Sequence, residues 1–316
     1  MQRWSGLIQR GDNMVNLKVN LSGLELSNPI IPASGCFGFG KEFIKYYDIN
    51  ILGSFCTKGT TKEARFGNDT PRIAESSCGM LNSVGLQNPG ILHVVRQVLK
   101  EISSYYSKPV IANISGFSIE EYEYCAKSLR GIDNIGLIEV NISCPNVHEG
   151  GMSFGTNADM AAKVTKAVVK AADKPVYIKL SPNVTDIVSI AKACEEAGAA
   201  GICAINTLLG MRIDIKSRKP VLANITGGLS GPAVFPVALR MVYQIYKAVK
   251  IPIIGIGGIS STDDVIEMMM AGATAVQIGS MNLIDPFICM TIIENLPERL
   301  NRLKVKDINE IIGGAH

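Results

Sequence analysis

The chain has 316 residues, 47% hydrophobic and 19% charged, with a formal net charge of +3. That supplies a large core, and so mild a basicity without a dense Lys/Arg run speaks for neither a nucleic-acid footprint nor a membrane surface. No apolar run approaches the length of a membrane span, and Met1 to Asn13 lack the apolar segment of a secretory signal. Residues 1–13 read as a flexible N-terminal extension, leaving 14–316 as one domain. Eight cysteines are present, none spaced as C-x-x-C, so no zinc knuckle or iron–sulfur cluster is written here and no metal site is expected. A reducing, cytoplasmic setting fits a chain too large to need disulfides.

Residues 15–26 alternate as a short hairpin turning at Ser22-Gly23. Apolar strands are then expected at 30–34, 54–57, 110–114, 137–142, 176–180, 201–205, 253–256 and 275–278. Helices are expected after each, at 41–47, 91–105, 119–129, 158–172, 184–197, 233–249, 262–271 and 287–303. Asn88-Pro89 offers a cap followed by Pro at a first helical position, and Ser261 or Thr262 precedes an acidic first turn. The repeated strand–helix unit predicts an α/β fold, a closed (β/α)8 TIM barrel with a short N-terminal β-hairpin, rather than an open sheet. Two excursions interrupt the rhythm, at 59–87 and 208–229. As inserted βα loops they belong over the C-terminal face, as lids or partner surfaces.

The strand after Gly136 runs into Asn141-Ile142-Ser143-Cys144-Pro145-Asn146, and Pro145 must end it. Cys144 then stands just past a strand's C-terminal end, on a loop with Gly150, Gly151 and Gly155. A thiol there can act as base or nucleophile; a cysteine can equally be a small buried apolar residue. Polar residues recur at the other strand ends: Ser34, Lys58, Asn113, Asn141, Lys179, and Asn206 with Thr207. On a barrel all would share one mouth, where two lysines can neutralise an anion. The last two strands lead into Gly257-Gly258 and Gly279-Ser280, the barrel positions that commonly bind phosphate through bare backbone N–H groups. Either glycine pair alone would be explained by a tight turn. Gly255 to Ser260 fails as a dinucleotide fingerprint, since Ser260 stands where the third Gly belongs. The histidines 93, 148 and 316 form no ligand set, and Met268-Met269-Met270 reads as helix packing.

Four stretches together resemble the family 1 dihydroorotate dehydrogenases over nearly the whole chain from Val15. They are Asn28 to Gly35, Asn82 to Asn88, Asn141 to Asn146, and Ala223 to Gly231. The last, Ala-Asn-Ile-Thr-Gly-Gly-Leu-Ser-Gly, is similar to the NAD-linked class 1B rather than the fumarate-linked class. The resemblance implies FMN at the barrel mouth, met by Ser34, Lys58, Gly59, Asn113, Asn141, Lys179, Ile205, Gly231, Gly257, Gly258, Gly279 and Ser280. Ser280 stands where Thr is usual. Substrate contacts are implied for Lys58, Asn82, Ser83, Val84, Gly85, Leu86, Asn141, Asn206 and Thr207, and the catalytic base for Cys144. The expected reaction is oxidation of dihydroorotate to orotate in pyrimidine biosynthesis. A partner subunit with FAD and an iron–sulfur cluster is expected to carry electrons to NAD, in a heterotetramer built on a homodimer of this chain. Other readings are a dihydrouridine synthase-like flavoenzyme, which should carry a basic RNA-binding extension, and a barrel binding a phosphorylated ligand without catalysis.

Overall fold

The computed structural model describes residues 15–143 and 154–316. The expected extension at 1–13 and the catalytic candidate Cys144, with Pro145, Asn146, His148, Gly150 and Gly151, lie outside the described residues.

Seven parallel strands form the central sheet: β1 Ile30–Pro32, β2 Val110–Ile114, β3 Ile135–Asn141, β4 Val176–Lys179, β5 Gly201–Ala204, β6 Ile253–Ile256 and β7 Ala275–Ile278. Their spatial order is β1-β7-β6-β5-β4-β3-β2, so each pairs with its neighbour in sequence except at the β1/β2 seam. Residues 53–57 fill that seam. On one side the N–H groups of Gly53 and Cys56 donate to the carbonyls of Ile30 and Pro32, at 3.2 and 3.0 Å. On the other, Ile111 N–H reaches Phe55 O at 3.0 Å and Thr57 N–H reaches Ile111 O at 2.9 Å. The sheet thus closes on itself as the expected TIM barrel, with no free edge. Its strands are buried on both faces, which is why they read as continuous apolar runs rather than alternating ones.

The helices follow their strands, with starts fixed by side-chain caps. Ser118, Asn157, Asp186 and Ser261 each accept a first-turn backbone N–H, which places helices at Ile119–Ser128, Ala158–Ala171, Ile187–Glu196 and Thr262–Met270. Asp186 moves one start inward from the expected residue 184. Asn88 behaves differently from the expected cap. Its Oδ1 accepts from Gly90 N–H at 2.8 Å and from Thr61 N–H at 3.2 Å, fastening a loop, and the helix starts at Ile91. The helix expected at 41–47 shrinks to a single 3-10 turn, Phe43–Lys45. There Phe43 stacks on Phe37 with centroids 4.0 Å apart, and Asp48 caps a second short turn, Ile49–Ile51.

The N-terminal hairpin, Val19–Leu21 paired with Leu24–Leu26, turns at Ser22-Gly23 as expected. It plugs the floor of the barrel. Leu21 and Leu26 are buried, Leu24 packs beside Gly136, and Ser22 Oγ donates to Ala200 O at 2.8 Å. At the opposite end the two excursions do what neither shows alone. They join edge to edge in one antiparallel sheet, ordered Leu208–Met211, Thr226–Ser230, Gly79–Asn82, Ile73–Ser76.

Candidate active site

The strand ends bring their polar residues to one rim. Asn113 lies in β2, Asn141 ends β3 and Lys179 ends β4, while Ser34, Asn206 and Thr207 lie two or three residues past their strands and Lys58 follows the seam segment. Asn141 Oδ1 accepts from Asn206 Nδ2 and from Ser143 N–H, both at 3.1 Å. Asn206 Oδ1 in turn accepts from Thr207 N–H at 2.8 Å. Both amides are therefore held in one orientation, with their remaining atoms available on the rim.

The sheet over the mouth supplies the second wall. A Cβ on Gly228 would fall 2.0 Å from Thr207 Oγ1, so the strand Thr226–Ser230 lies directly on Thr207. Asn82 Nδ2 meets Gly228 O from the other side, at 3.5 Å. Residues 83–86 then loop between Asn82 and Gln87, with Gly85 and Leu86 both at positive φ. Asn68 latches this loop: its N–H donates to Val84 O at 3.0 Å and its Nδ2 to Ser83 O at 2.9 Å. Arg72 holds the latch, donating to the carbonyls of Phe66 and Asn68 and to Gln87 Oε1.

Beneath the rim is a buried polar cluster. The Glu139 carboxylate, 0% exposed, accepts from Asn113 Nδ2 at 2.6 Å, Gln277 Nε2 at 2.6 Å, Lys179 Nζ at 3.1 Å and Cys56 Sγ at 3.4 Å. Lys179 Nζ also reaches Gln277 Oε1 at 3.4 Å. Burial alone would push the Glu139 carboxyl up; the Lys179 ammonium and the hydrogen bonds outweigh it, and the carboxyl lies below its ordinary range. For Lys179, burial pulls down and Glu139 pushes up, with a net rise. The pair is charged. Cys56 and Cys203 flank it as neutral thiols, raised well above 9.0 by burial.

Lys58 has no carboxylate partner among the described residues. Burial lowers it from the ordinary 10.5; Cys36 opposes that shift and Arg72 adds to it. The glycine loops lie as their position after β6 and β7 requires. Gly257 and Gly258 have φ of 129° and 74°, and a Cβ on Gly258 would sit 2.4 Å from Phe235 N, at the start of the helix Phe235–Tyr246. A Cβ on Gly279 would meet nothing nearer than 4.0 Å. Gly231, at φ 116°, passes against the Gly79 backbone, and Ile205 N–H donates to Ile256 O at 2.8 Å.

The dihydroorotate dehydrogenase family profile matches residues 16–300. The chain belongs to the dihydroorotate dehydrogenase family. It is 55% identical over 302 residues to the "Dihydroorotate dehydrogenase B (NAD(+)), catalytic subunit" of Halalkalibacterium halodurans, covering 96% of this chain and 99% of that one. The protein of the same name from Malacoplasma penetrans is 55% identical over 304 residues, with the same two coverages. The one from Geobacillus kaustophilus is 54% identical over 308 residues, covering 96% and 98%. The chain is thus an enzyme of a family whose barrel matches the fold above, and among the described residues no helix is long and apolar enough to cross a membrane.

Of the residues expected from sequence, Asn141, Asn206 and Thr207 are joined by hydrogen bonds, Asn82 meets the strand that lies on Thr207, and Asn113 and Lys179 meet at Glu139, while Cys144 lies outside the described residues. Sequence reasoning assigned no role to Glu139 or Gln277. The signal was a carboxylate and an amide inside the apolar runs of β3 and β7, where burial without partners would be costly.

Proposed function

We propose that this chain oxidises dihydroorotate to orotate in pyrimidine biosynthesis, as one FMN-binding barrel domain spanning residues 14–316. The observation that carries this reading is the rim itself. In a chain of this family, two mutually oriented amides, Asn141 and Asn206, share the strand-end rim with the half-buried Lys58 and with Lys179, the register partner of Asn141. Such a set suits a small anionic ring with both donors and acceptors on its edge.

The residues present fit FMN. Asn113 Oδ1 is buried with no donor among the described residues, because Nδ2 is committed to the acceptor-only Glu139. A ring N–H would satisfy it. Gly59 leaves the approach open, since a Cβ there would lie 2.6 Å from that oxygen. Ser34, Lys58, Gly59, Asn113, Asn141, Lys179 and Ile205 would hold the ring and its chain. Gly231, Gly257, Gly258, Gly279 and Ser280 would hold the phosphate end through backbone N–H groups. When bound, FMN supplies the acceptor for the hydride leaving C6 of the substrate.

The chain's own residues do the rest. Cys144 takes the C5 proton, working as the thiolate; an ordinary thiol has a pKa of about 8.5, so a nearby cation favours it. Lys58 offsets the substrate carboxylate. Asn141, Asn206, Thr207, Asn82, Ser83, Val84, Gly85 and Leu86 orient the ring. The relatives are named as catalytic subunits, which favours the class whose electrons leave for NAD through a second subunit carrying FAD and an iron–sulfur cluster. That assembly is a cytoplasmic heterotetramer with two copies of this chain.

Cys144→Ala is expected to keep FMN bound while slowing its reduction by dihydroorotate at least about a hundredfold in a stopped-flow single turnover. Reduction at the parent rate would remove Cys144 from the role.

A further inference from the structure

Glu139 is an expensive residue to keep where it is. It sits in the middle of β3, in register with Asn113 of β2 and Tyr177 of β4, with its side chain fully enclosed. Donors converge on it from the seam (Cys56), from β2 (Asn113), from β4 (Lys179) and from β7 (Gln277). Their identities are mutually constrained. Gln277 can turn Nε2 only to the carboxylate and Oε1 only to the ammonium, so its single amide bridges both ends of the ion pair. A buried ion pair stabilises a fold no better than apolar side chains of the same volume. Stability therefore does not account for this arrangement, and its position directly behind Lys179 supplies another reason.

We propose that Glu139 is a positioning residue for the flavin chemistry. It balances the charge of Lys179 at the barrel mouth and so holds the reduction potential of the bound flavin low. The inference rests on the reading above, in which Lys179 is a flavin contact. An unbalanced ammonium beside the ring would stabilise the electron-rich reduced state, and in so dry a site that attraction is only weakly screened. Glu139 cancels most of it, while Gln277 fixes the ammonium's place. A low potential suits delivery of electrons to a nicotinamide, itself a weak oxidant. The titratable groups facing the pair are Cys56 and Cys203 inside the barrel and Cys36, which lies between Lys179 and Lys58.

The test is a spectroelectrochemical titration of the purified flavin-loaded protein and its Glu139→Gln variant, from roughly pH 6 to pH 9. At the acid end the variant's two-electron midpoint is expected to lie higher by at least tenfold in the oxidised/reduced equilibrium, about 30 mV. The gap should narrow toward the alkaline end, as an unpartnered Lys179 gives up its proton. Curves that superimpose throughout overturn the proposal, as does a lower midpoint in the variant. If Glu139→Gln does not retain flavin, Glu139→Asp, which draws the carboxylate back from Lys179, is expected to shift the midpoint in the same direction by less. A midpoint at or below the parent's in Glu139→Asp then overturns the proposal. Parent protein purified without flavin would instead defeat the FMN reading itself.

Discussion

In the function proposed above, Lys58 and Cys144 carry opposite demands on pH. The thiol must lose its proton to act as a base, whereas Lys58 must keep its own to meet a carboxylate. Burial holds Lys58 below the ordinary 10.5, so its charge is lost earlier on the alkaline side than that of a surface lysine. The profile of kcat/KM for dihydroorotate is therefore expected to be bell-shaped, rising as Cys144 ionises and falling as Lys58 deprotonates. In Lys58→Gln the alkaline fall should vanish along with most of the substrate affinity. An unchanged alkaline limb in that variant would show that another group titrates there. At this scale the sequence was informative about residues at strand ends, because a polar side chain after an apolar run marks a rim. It was silent about Glu139. A carboxylate inside a strand has no local partner to announce it, and its donors come from sequence positions 56, 113, 179 and 277.

Among the elements, the loop after Gly79–Asn82, proposed above to meet substrate, depends on a latch built from Asn68 and Arg72. Arg72 spends its guanidinium on two backbone carbonyls and on Gln87, and Asn68 ties the loop's own backbone. Removing Arg72 leaves the Phe66 and Asn68 carbonyls without it, at about 1 kcal/mol for each lost bond. Arg72→Ala is thus expected to raise KM for dihydroorotate roughly tenfold, with a smaller change in flavin reduction at saturating substrate. A variant with parent KM would show that the loop holds without its latch. The caps explain why most helices were legible: Ser118, Asn157 and Ser261 act within three residues of their own position. The turn at Phe43–Lys45 was not, since its aromatic spacing resembles a helix face but serves stacking on Phe37. Nor was the pairing of Gly79–Asn82 with Thr226–Ser230, because short glycine-rich strands carry no mark of a partner nearly 150 residues away.

For the molecule as a whole, the barrel has a sealed floor and a mouth roofed by a four-stranded sheet. Leu21, completely buried, belongs to the hairpin that closes the floor. Leu21→Ala is expected to destabilise the protein by about 2–5 kcal/mol in urea unfolding, with flavin still bound under native conditions. A loss below about 0.5 kcal/mol, the range of a surface substitution, would show that the hairpin is only an ornament on the floor. The overall architecture was readable because eight apolar runs each precede a helix, a rhythm that leaves few topologies. The irregular member at 53–57 was readable too, from composition, although it bonds its neighbours through only a few backbone groups.

The sheet over the mouth has one more consequence. Its outer strands come from one excursion each, and its middle pairing, Thr226–Ser230 against Gly79–Asn82, stitches the two together. A chimaera that borrows either insertion from a distant relative inherits half a fabric whose threads end in mid-air. Only an exchange of both at once carries a finished roof, so specificity grafted onto this scaffold must travel as a matched pair.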